Sequence, residues 1–360
     1  MNLPEQTIAK AEIDVEPASS PHRHKTSKVT SISKPGWGYI LKRTLNSFTS
    51  KGCTDLAAAL TYFTVLSVFP GLLAVVSLLG VFGQGEQTTE TILDLIQPYA
   101  PSQLMDLIEQ PIRQLTEGNG AGLALITGIV GALWTASGYT GAFGRALNRI
   151  YGVVEGRPIW KLRPWNLLVT FTMVILVVLT MLTVLLSGGV IEFFSDHLGI
   201  GEQITQVWNW VRWLLALVLV VALIALLYYA TPNIRQPKLR WISPGAALAL
   251  VMMGVAGAAF GFYVSNFSNY NATYGTLGGV IVMLLLIWIM NNVLLLGAVL
   301  DSELERARQL ESGIRAEEDI QLPPRCIRQA EKMRDAHADL VKQGRQLRLD
   351  NDHLDYSDRD

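Results

Sequence analysis

Long apolar runs alternate with short polar connections along most of this chain, and the runs share a characteristic length. A bilayer core about 30 Å thick is crossed by roughly 20 apolar helical residues. Six segments meet that requirement: about 56–82, 121–144, 165–191, 213–230, 245–267 and 277–300. The pattern predicts an all-α, polytopic membrane protein with a six-helix bundle over residues 53–310. No Asp, Glu, Lys or Arg occurs from Trp241 to Leu300, and sixty such residues in a row cannot be the core of a soluble domain.

The connections carry the orientation, because cytoplasmic loops retain Lys and Arg. Eight basic residues precede the first span, with Lys34, Lys42, Arg43 and Lys51 close to it. The 84–120 loop has only Arg113 against six acids. The next connection has five basic residues: Arg145, Arg149, Arg157, Lys161 and Arg163. The following ones alternate again, with Arg212 alone, then Arg235, Lys238 and Arg240, then none. Both termini are therefore expected in the cytoplasm.

The flanks read differently. Residues 1–33 are rich in Ser, Pro, Lys and His and are expected to be a disordered cytoplasmic head. They show no cleavable signal peptide. Over 34–52, Trp37, Ile40, Leu41, Leu45 and Phe48 share a face at helical spacing, with Lys42 and Arg43 beside it. This predicts an amphipathic interfacial helix, lying either on the inner leaflet or against the bundle's own connections. Ile92, Leu95, Ile96, Leu104, Leu107 and Ile108 predict a helical extracytoplasmic loop over 84–120, broken at Pro98 and Pro101. The last helix should continue to about Leu310, break at Pro323 and Pro324, and resume to about Leu347. Residues 311–360 are expected to be a charged, solvated tail.

Composition agrees: half the 360 residues are hydrophobic and 16% are charged, against about 25% charged in soluble domains. Cys53 and Cys326 both fall on the cytoplasmic side, where thiols stay reduced. The five histidines are scattered, and neither a phosphate-cradling glycine loop nor a nucleophile elbow occurs. No enzyme, metal or cofactor is expected. The tail alternates acids and bases, which does not suit nucleic acid.

The spans hold uncharged polarity instead. Tyr62, Ser67 and Pro70 in the first span, with Asn291 and Asn292 in the sixth, are candidates to line a pathway. Proline removes a backbone donor and kinks a helix, while an Asn pair equally serves to hydrogen-bond neighbouring helices. Arg145 and Arg149, one turn apart, are candidates to bind an anionic headgroup, beside the plainer role of inner-face anchors. Asp301 and Glu303 are possible partners for that pair. Asn269, Tyr270 and Tyr274 are candidates for an extracytoplasmic contact. The second span is dense in small residues, and the fifth has Gly254, Gly257 and Gly261, with Gly257 and Gly261 in GxxxG spacing. Tight helix packing is the reading favoured for both.

Four stretches together resemble a known family. Ala57 to Pro70 (AAALTYFTVLSVFP), Ala146 to Gly152 (ALNRIYG), Thr273 to Gly278 (TYGTLG), and Leu295 to Ala298 followed by Asp301 and Glu303 are similar to the signatures of the YihY/BrkB family of bacterial inner-membrane proteins. The likeness covers roughly residues 37–310, and Glu155 to Pro158 looks most like actinobacterial members. Ser137-Gly138-Tyr139 departs from the Ser-Arg-Gly of many relatives. The resemblance implies a six-helix protein of the bacterial plasma membrane with unsettled activity. The family carries an old ribonuclease BN label regarded as a misassignment, and its members are discussed in connection with virulence, serum resistance and export of envelope lipids. The leading expectation is a permease or flippase for a lipid or other amphiphile. The alternative is a non-transporting envelope scaffold or assembly factor, and a membrane-bound ribonuclease comes last. Membrane lipids are the expected partners, with protein partners through the tail as a second possibility. Oligomeric state is left open.

Overall fold

A computed structural model describes residues 3–12, 34–82, 121–185, 202–235, 243–266 and 276–352. They form helices α1 (Leu3–Glu12), α2 (Lys34–Ser50), α3 (Cys53–Phe82), α4 (Ala121–Tyr151), α5 (Ile159–Leu185), α6 (Glu202–Ala230), α7 (Pro244–Asn266), α8 (Thr276–Glu311) and α9 (Arg328–Asp352). Among the described residues the only β feature is an isolated antiparallel bridge between Ile234 and Pro324. Each predicted span corresponds to one of α3 to α8, so the apolar periodicity located the helices. Among the described residues, four of them contain stretches long and apolar enough to cross a membrane: Ile159–Val184, Trp210–Ala230, Pro244–Tyr263 and Gly279–Glu311. Residues of the extracytoplasmic loop 84–120, and Asn269, Tyr270 and Tyr274, lie outside the described residues.

Helix ends follow local chemistry. Ser243 caps α7 through its hydroxyl, which accepts from the Ala246 amide at 3.0 Å. Pro244 sits at the first helical position, where its missing N–H costs nothing. Helices α4 and α8 each end at a glycine of positive φ, Gly152 and Gly313, a conformation that a Cβ would strain. The amides of Val153 and Ile314 then reach back to the carbonyls of Asn148 and Gln309, which satisfies carbonyls a helix terminus otherwise leaves open.

Helix α2 divides its residues between two surroundings. Ile40, Thr44 and Ser47 are buried against the end of α8, while Trp37, Leu41 and Leu45 form an exposed stripe on the other side. Packing against the bundle thus accounts for half of the predicted face only. The flanking expectations need correction as well. The head is not uniformly irregular, because residues 3–12 form α1, which packs against α9. Nor is the tail solvated from residue 311 onward. Ala316, Ile320 and Leu322 are buried, and Arg325 donates to the carbonyls of Tyr229 and Ile234 at 2.6 and 2.8 Å. The charge of this segment masked the few apolar residues that dock it.

The core lies at one end of the bundle. Phe143, Leu147, Ile150, Ile234, Leu295 and Val299 are almost wholly buried there, and rings of Tyr139, Phe143 and Tyr228 stack at 6.1 and 6.2 Å. In the most apolar window of each of the four stretches only 17% to 28% is buried.

Close helix approach occurs at glycines other than the conspicuous motif. Gly254 and Gly261 have nothing near the place of a Cβ, and Gly257 would meet only the Met290 methyl at 3.7 Å. Among the described residues the GxxxG pair is therefore not a tight contact. Gly245 of α7 and Gly297 of α8 are, since a Cβ on either would overlap the other's carbonyl oxygen. Backbone atoms cannot rotate away. Gly245→Ala and Gly297→Ala should each lower the melting temperature in detergent, by an overpacking cost of about 1–3 kcal/mol. Gly254→Ala should leave it unchanged or raise it, given a helix preference for Ala of up to about 1 kcal/mol.

Candidate functional site

The chemistry of the chain concentrates where α4 ends. An α-helix leaves its last carbonyls open and concentrates negative potential there. Two lysines from other elements supply the donors. Lys10 of α1 donates to the Gly152 carbonyl at 3.0 Å and to Tyr151 at 3.4 Å. Lys51, in the turn between α2 and α3, donates to the carbonyl of Ile150. Burial pulls both amines below the ordinary lysine pKa, Lys51 to about 8 despite the opposing pull of Glu303. Cys53 beside this turn is buried, and burial pushes its thiol up to about 11.

Asn148 and Asn233 extend this layer. The Asn148 side-chain oxygen accepts from the Asn233 amide at 2.7 Å, and its nitrogen donates to Glu155 at 3.2 Å. Asn233 is fully buried and bonds the carbonyls of Val154 and Cys326 at 3.0 and 2.8 Å. Arg157 forks onto Glu155 at 2.7 Å through two nitrogens and also reaches the Thr231 carbonyl at 2.8 Å.

Asp301 and Glu303 do not pair with Arg145 or Arg149. Asp301 accepts from the Ser243 hydroxyl and, at 2.7 Å, from the Gly245 amide, fastening the start of α7 to α8. Glu303 is completely buried and accepts from Ser47 at 2.7 Å and Arg306 at 2.8 Å. Arg306 goes on to the carbonyls of Ala316 and Glu318 at 2.7 and 3.0 Å. A buried carboxylate is tolerable only with such partners.

The candidate pathway residues fall into two groups. Asn291 bridges three helices, accepting from the Tyr139 hydroxyl at 3.1 Å and donating to Thr61 at 3.3 Å. Asn292 donates to the Trp288 carbonyl at 2.8 Å, while its buried oxygen has no partner among the described residues. Tyr62 is exposed, its ring edge-on to Phe63, so it does not face the Asn291 bridge. The Ser67 hydroxyl donates to Thr64 of its own helix at 2.7 Å. Pro70 lies within α3, which continues to Phe82.

The two candidate arginines separate. The Arg149 guanidinium lies by Gly52, in the turn before α3, whereas that of Arg145 turns back one helical turn to Gly141. Helical side chains lean toward the N-terminus, and for α4 that direction leads away from its capped end. Arg145 sits 6.0 Å from the Phe63 ring. Arg163 of α5, placed 5.3 Å over Trp134, is close enough to lower the Arg145 pKa, second to burial. Asn166 completes the group. It is 6% exposed, and its amide nitrogen would lie 3.1 Å from a Cβ on Gly141, with the Arg145 guanidinium at 3.5 Å. Arg163 and Asn166 were not singled out from sequence. An amide just inside an apolar run, two residues after Pro164, was the available signal. Among the described residues no three His, Cys, Asp or Glu side chains gather where they could hold a metal ion.

Comparison with known proteins gives a consistent answer. Residues 44–321 match the family model described as virulence factor BrkB. A Bacillus subtilis protein, YfkH, which carries a provisional ribonuclease-like name, is 31% identical over 75% of this chain and 97% of its own length. Membrane proteins of the UPF0761 group from Alkalilimnicola ehrlichii and Alcanivorax borkumensis are 28% and 27% identical over 72% and 71% of this chain. The match covers only 56% and 58% of those two relatives. No solved structure matches the chain.

The capped end of α4 makes a pH-dependent prediction. Between about pH 8 and 10.5 the folded state releases the Lys51 proton that the unfolded chain retains. The unfolded state then binds more protons, so this residue's contribution to stability improves as pH rises through that window. The melting temperature of the wild type minus that of Lys51→Met should increase from pH 7.5 to pH 9.5, read by tryptophan fluorescence in detergent. A difference that falls over that range would contradict the assignment.

Proposed function

The chain belongs to the BrkB family of bacterial membrane proteins, and from that premise we propose a permease or flippase for a lipid or other amphiphile. It is a multi-pass membrane protein, and its family is one of unsettled function. The observation that carries the proposal is Arg145, an arginine without an acidic or hydrogen-bonding partner among the described residues, whose guanidinium turns toward the apolar side of the bundle. Arg145 is also exposed, so a headgroup can reach its guanidinium from outside the bundle. Next to this level the uncharged polar groups of Thr61, Tyr139 and Asn291 on α3, α4 and α8 bond to one another, and a passing headgroup would exchange those bonds for its own without a buried charge.

We propose further that six spans cross the plasma membrane with both termini cytoplasmic. The gathering of the ends of α4, α6 and α8 and the starts of α3, α5 and α7 with the tail in one polar layer supports that arrangement. A scaffold is the second reading, favoured by α9, which exposes Leu340, Val341 and Leu347. A deletion can separate the two, but it must spare the docked segment 314–326 and the start of α9, where Ala330 is buried.

Proteoliposomes containing fluorescent phosphatidylglycerol or phosphatidylcholine should show protein-dependent movement between leaflets, and Arg145→Gln should reduce it severalfold. Deletion of residues 340–360 should leave movement intact. Absence of movement for every lipid, together with loss of cellular function in that deletion, would replace the permease by the scaffold.

A further inference from the structure

Helices α4 and α5 meet along a polar seam. The Thr140 and Thr170 hydroxyls are 2.7 Å apart and buried, and directly beside them Gly141 lies opposite Asn166. Thr170 also donates to the Asn166 carbonyl at 2.7 Å, which holds this stretch of α5 in register. The Asn166 side chain makes no hydrogen bond among the described residues, although its residue is more than nine-tenths buried. Its polar atoms are not among the fully enclosed, unpartnered ones of the described residues, so the amide keeps an open edge at the seam.

Two cations border the same spot. Arg145 reaches back to Gly141, and Arg163 approaches across the seam, close enough for its charge to act on Arg145. Among the described residues neither is paired with a carboxylate. Two guanidinium groups held near each other repel, and a third group of opposite charge relieves that repulsion. Guanidinium forks and an amide N–H are the donors that match phosphate oxygens. Gly141 has no Cβ, and one there would lie 3.1 Å from the Asn166 nitrogen and 3.5 Å from the Arg145 guanidinium. The glycine thus lets these donors gather, with the rings of Phe63 and Trp134 at 6.0 and 5.3 Å from the two cations.

We propose that Arg145, Arg163 and Asn166 form a phosphate-ester site at the inner end of the α4–α5 seam, with Gly141 as its floor. The lipid reading above supplies the physiological ligand, a phospholipid headgroup entering sideways from the leaflet, and the proposal rests on that reading for this point alone. The site itself is a matter of binding. Arg149, turned toward Gly52, is not part of it.

Native mass spectrometry of the full chain in detergent tests this with three probes: dioleoyl phosphatidylglycerol, dioleoylglycerol and inorganic phosphate. The wild type should retain phosphatidylglycerol over dioleoylglycerol. Arg145→Gln and Arg163→Gln should each weaken that preference about fivefold, the worth of one basic contact at an anionic surface. Arg149→Gln should not change it. Gly141→Ala keeps both charges but fills the floor against a movable side chain, and it too should weaken binding without lowering the melting temperature. Inorganic phosphate that displaces the lipid only when both arginines are present would confirm the site and extend it to free phosphate. Equal phosphatidylglycerol retention by the wild type and by folded Arg145→Gln, Arg163→Gln and Gly141→Ala proteins would overturn the proposal. Binding that depends on the arginines without lipid movement in proteoliposomes would remove the flippase reading and leave the site standing.

Discussion

The carbonyls at the end of α4 are the constraint on which the packed end of the molecule is organised. A helix that stops inside protein must find donors for its last turn, and this one takes them from Lys10 and Lys51 in distant parts of the chain. Because the two lysines belong to α1 and to the α2–α3 turn, satisfying one helix end fixes the position of two others. Asn148, one turn earlier, bonds the backbone of Asn233, and Asn233 holds the strand-like stretch that ends at Cys326. Removing this cap would leave buried polar groups open on four elements at once.

The same logic explains why the buried ion pair of Glu303 and Arg306 is embedded in further hydrogen bonds. Ser47 ties it to α2 and the 316–318 carbonyls tie it to the returning tail. Its worth as a pair is small or negative once desolvation is counted. Its consequence is positional: α8 can leave the apolar region at one angle and one rotation only. The Gly245 and Gly297 contact sets the spacing of α7 against α8 at that exit, and Asp301 fastens the α7 start there.

Much of this fold was legible in sequence because lipid-facing helices must be apolar over about 20 residues. Each predicted run overlaps one of α3 to α8, although α5 starts at Ile159 rather than Trp165 and α6 at Glu202 rather than Trp213. What was not legible depended on three-dimensional partners. The helix at 3–12 is too short and too polar to be recognised, and it is secured by Thr7 and Lys10 bonding to residues near 152. The tail segment 314–326 looked solvated because its charges outnumber Ala316, Ile320 and Leu322, the residues that bury it. Composition also overvalued the Gly257 and Gly261 pair, since spacing says where a helix is able to approach and not whether another helix does. At the candidate site, one-turn spacing suggested joining Arg145 to Arg149. Side-chain direction separates them, and helix pairing brings in Arg163 and Asn166 instead.

These features divide the protein into two mechanical regions. At the inner end, hydrogen bonds and apolar contacts among α1 to α8 and the tail form a packed layer with few degrees of freedom. Beyond it, the four apolar stretches are mostly unburied, and in lipid no hydrophobic force holds such helices together. Among the described residues, hydrogen bonds tie two of them to the neighbouring helices: the Asn291 bridge joins α8 to α3 and α4, and the Thr140 and Thr170 pair joins α5 to α4. A headgroup docked at the α4–α5 seam would therefore meet rigid donors on its inner side and separable helices on the other. On the proposed lipid reading, that asymmetry would let a polar group be held at the interface while the helices beside it part, with no charge required in the apolar interior.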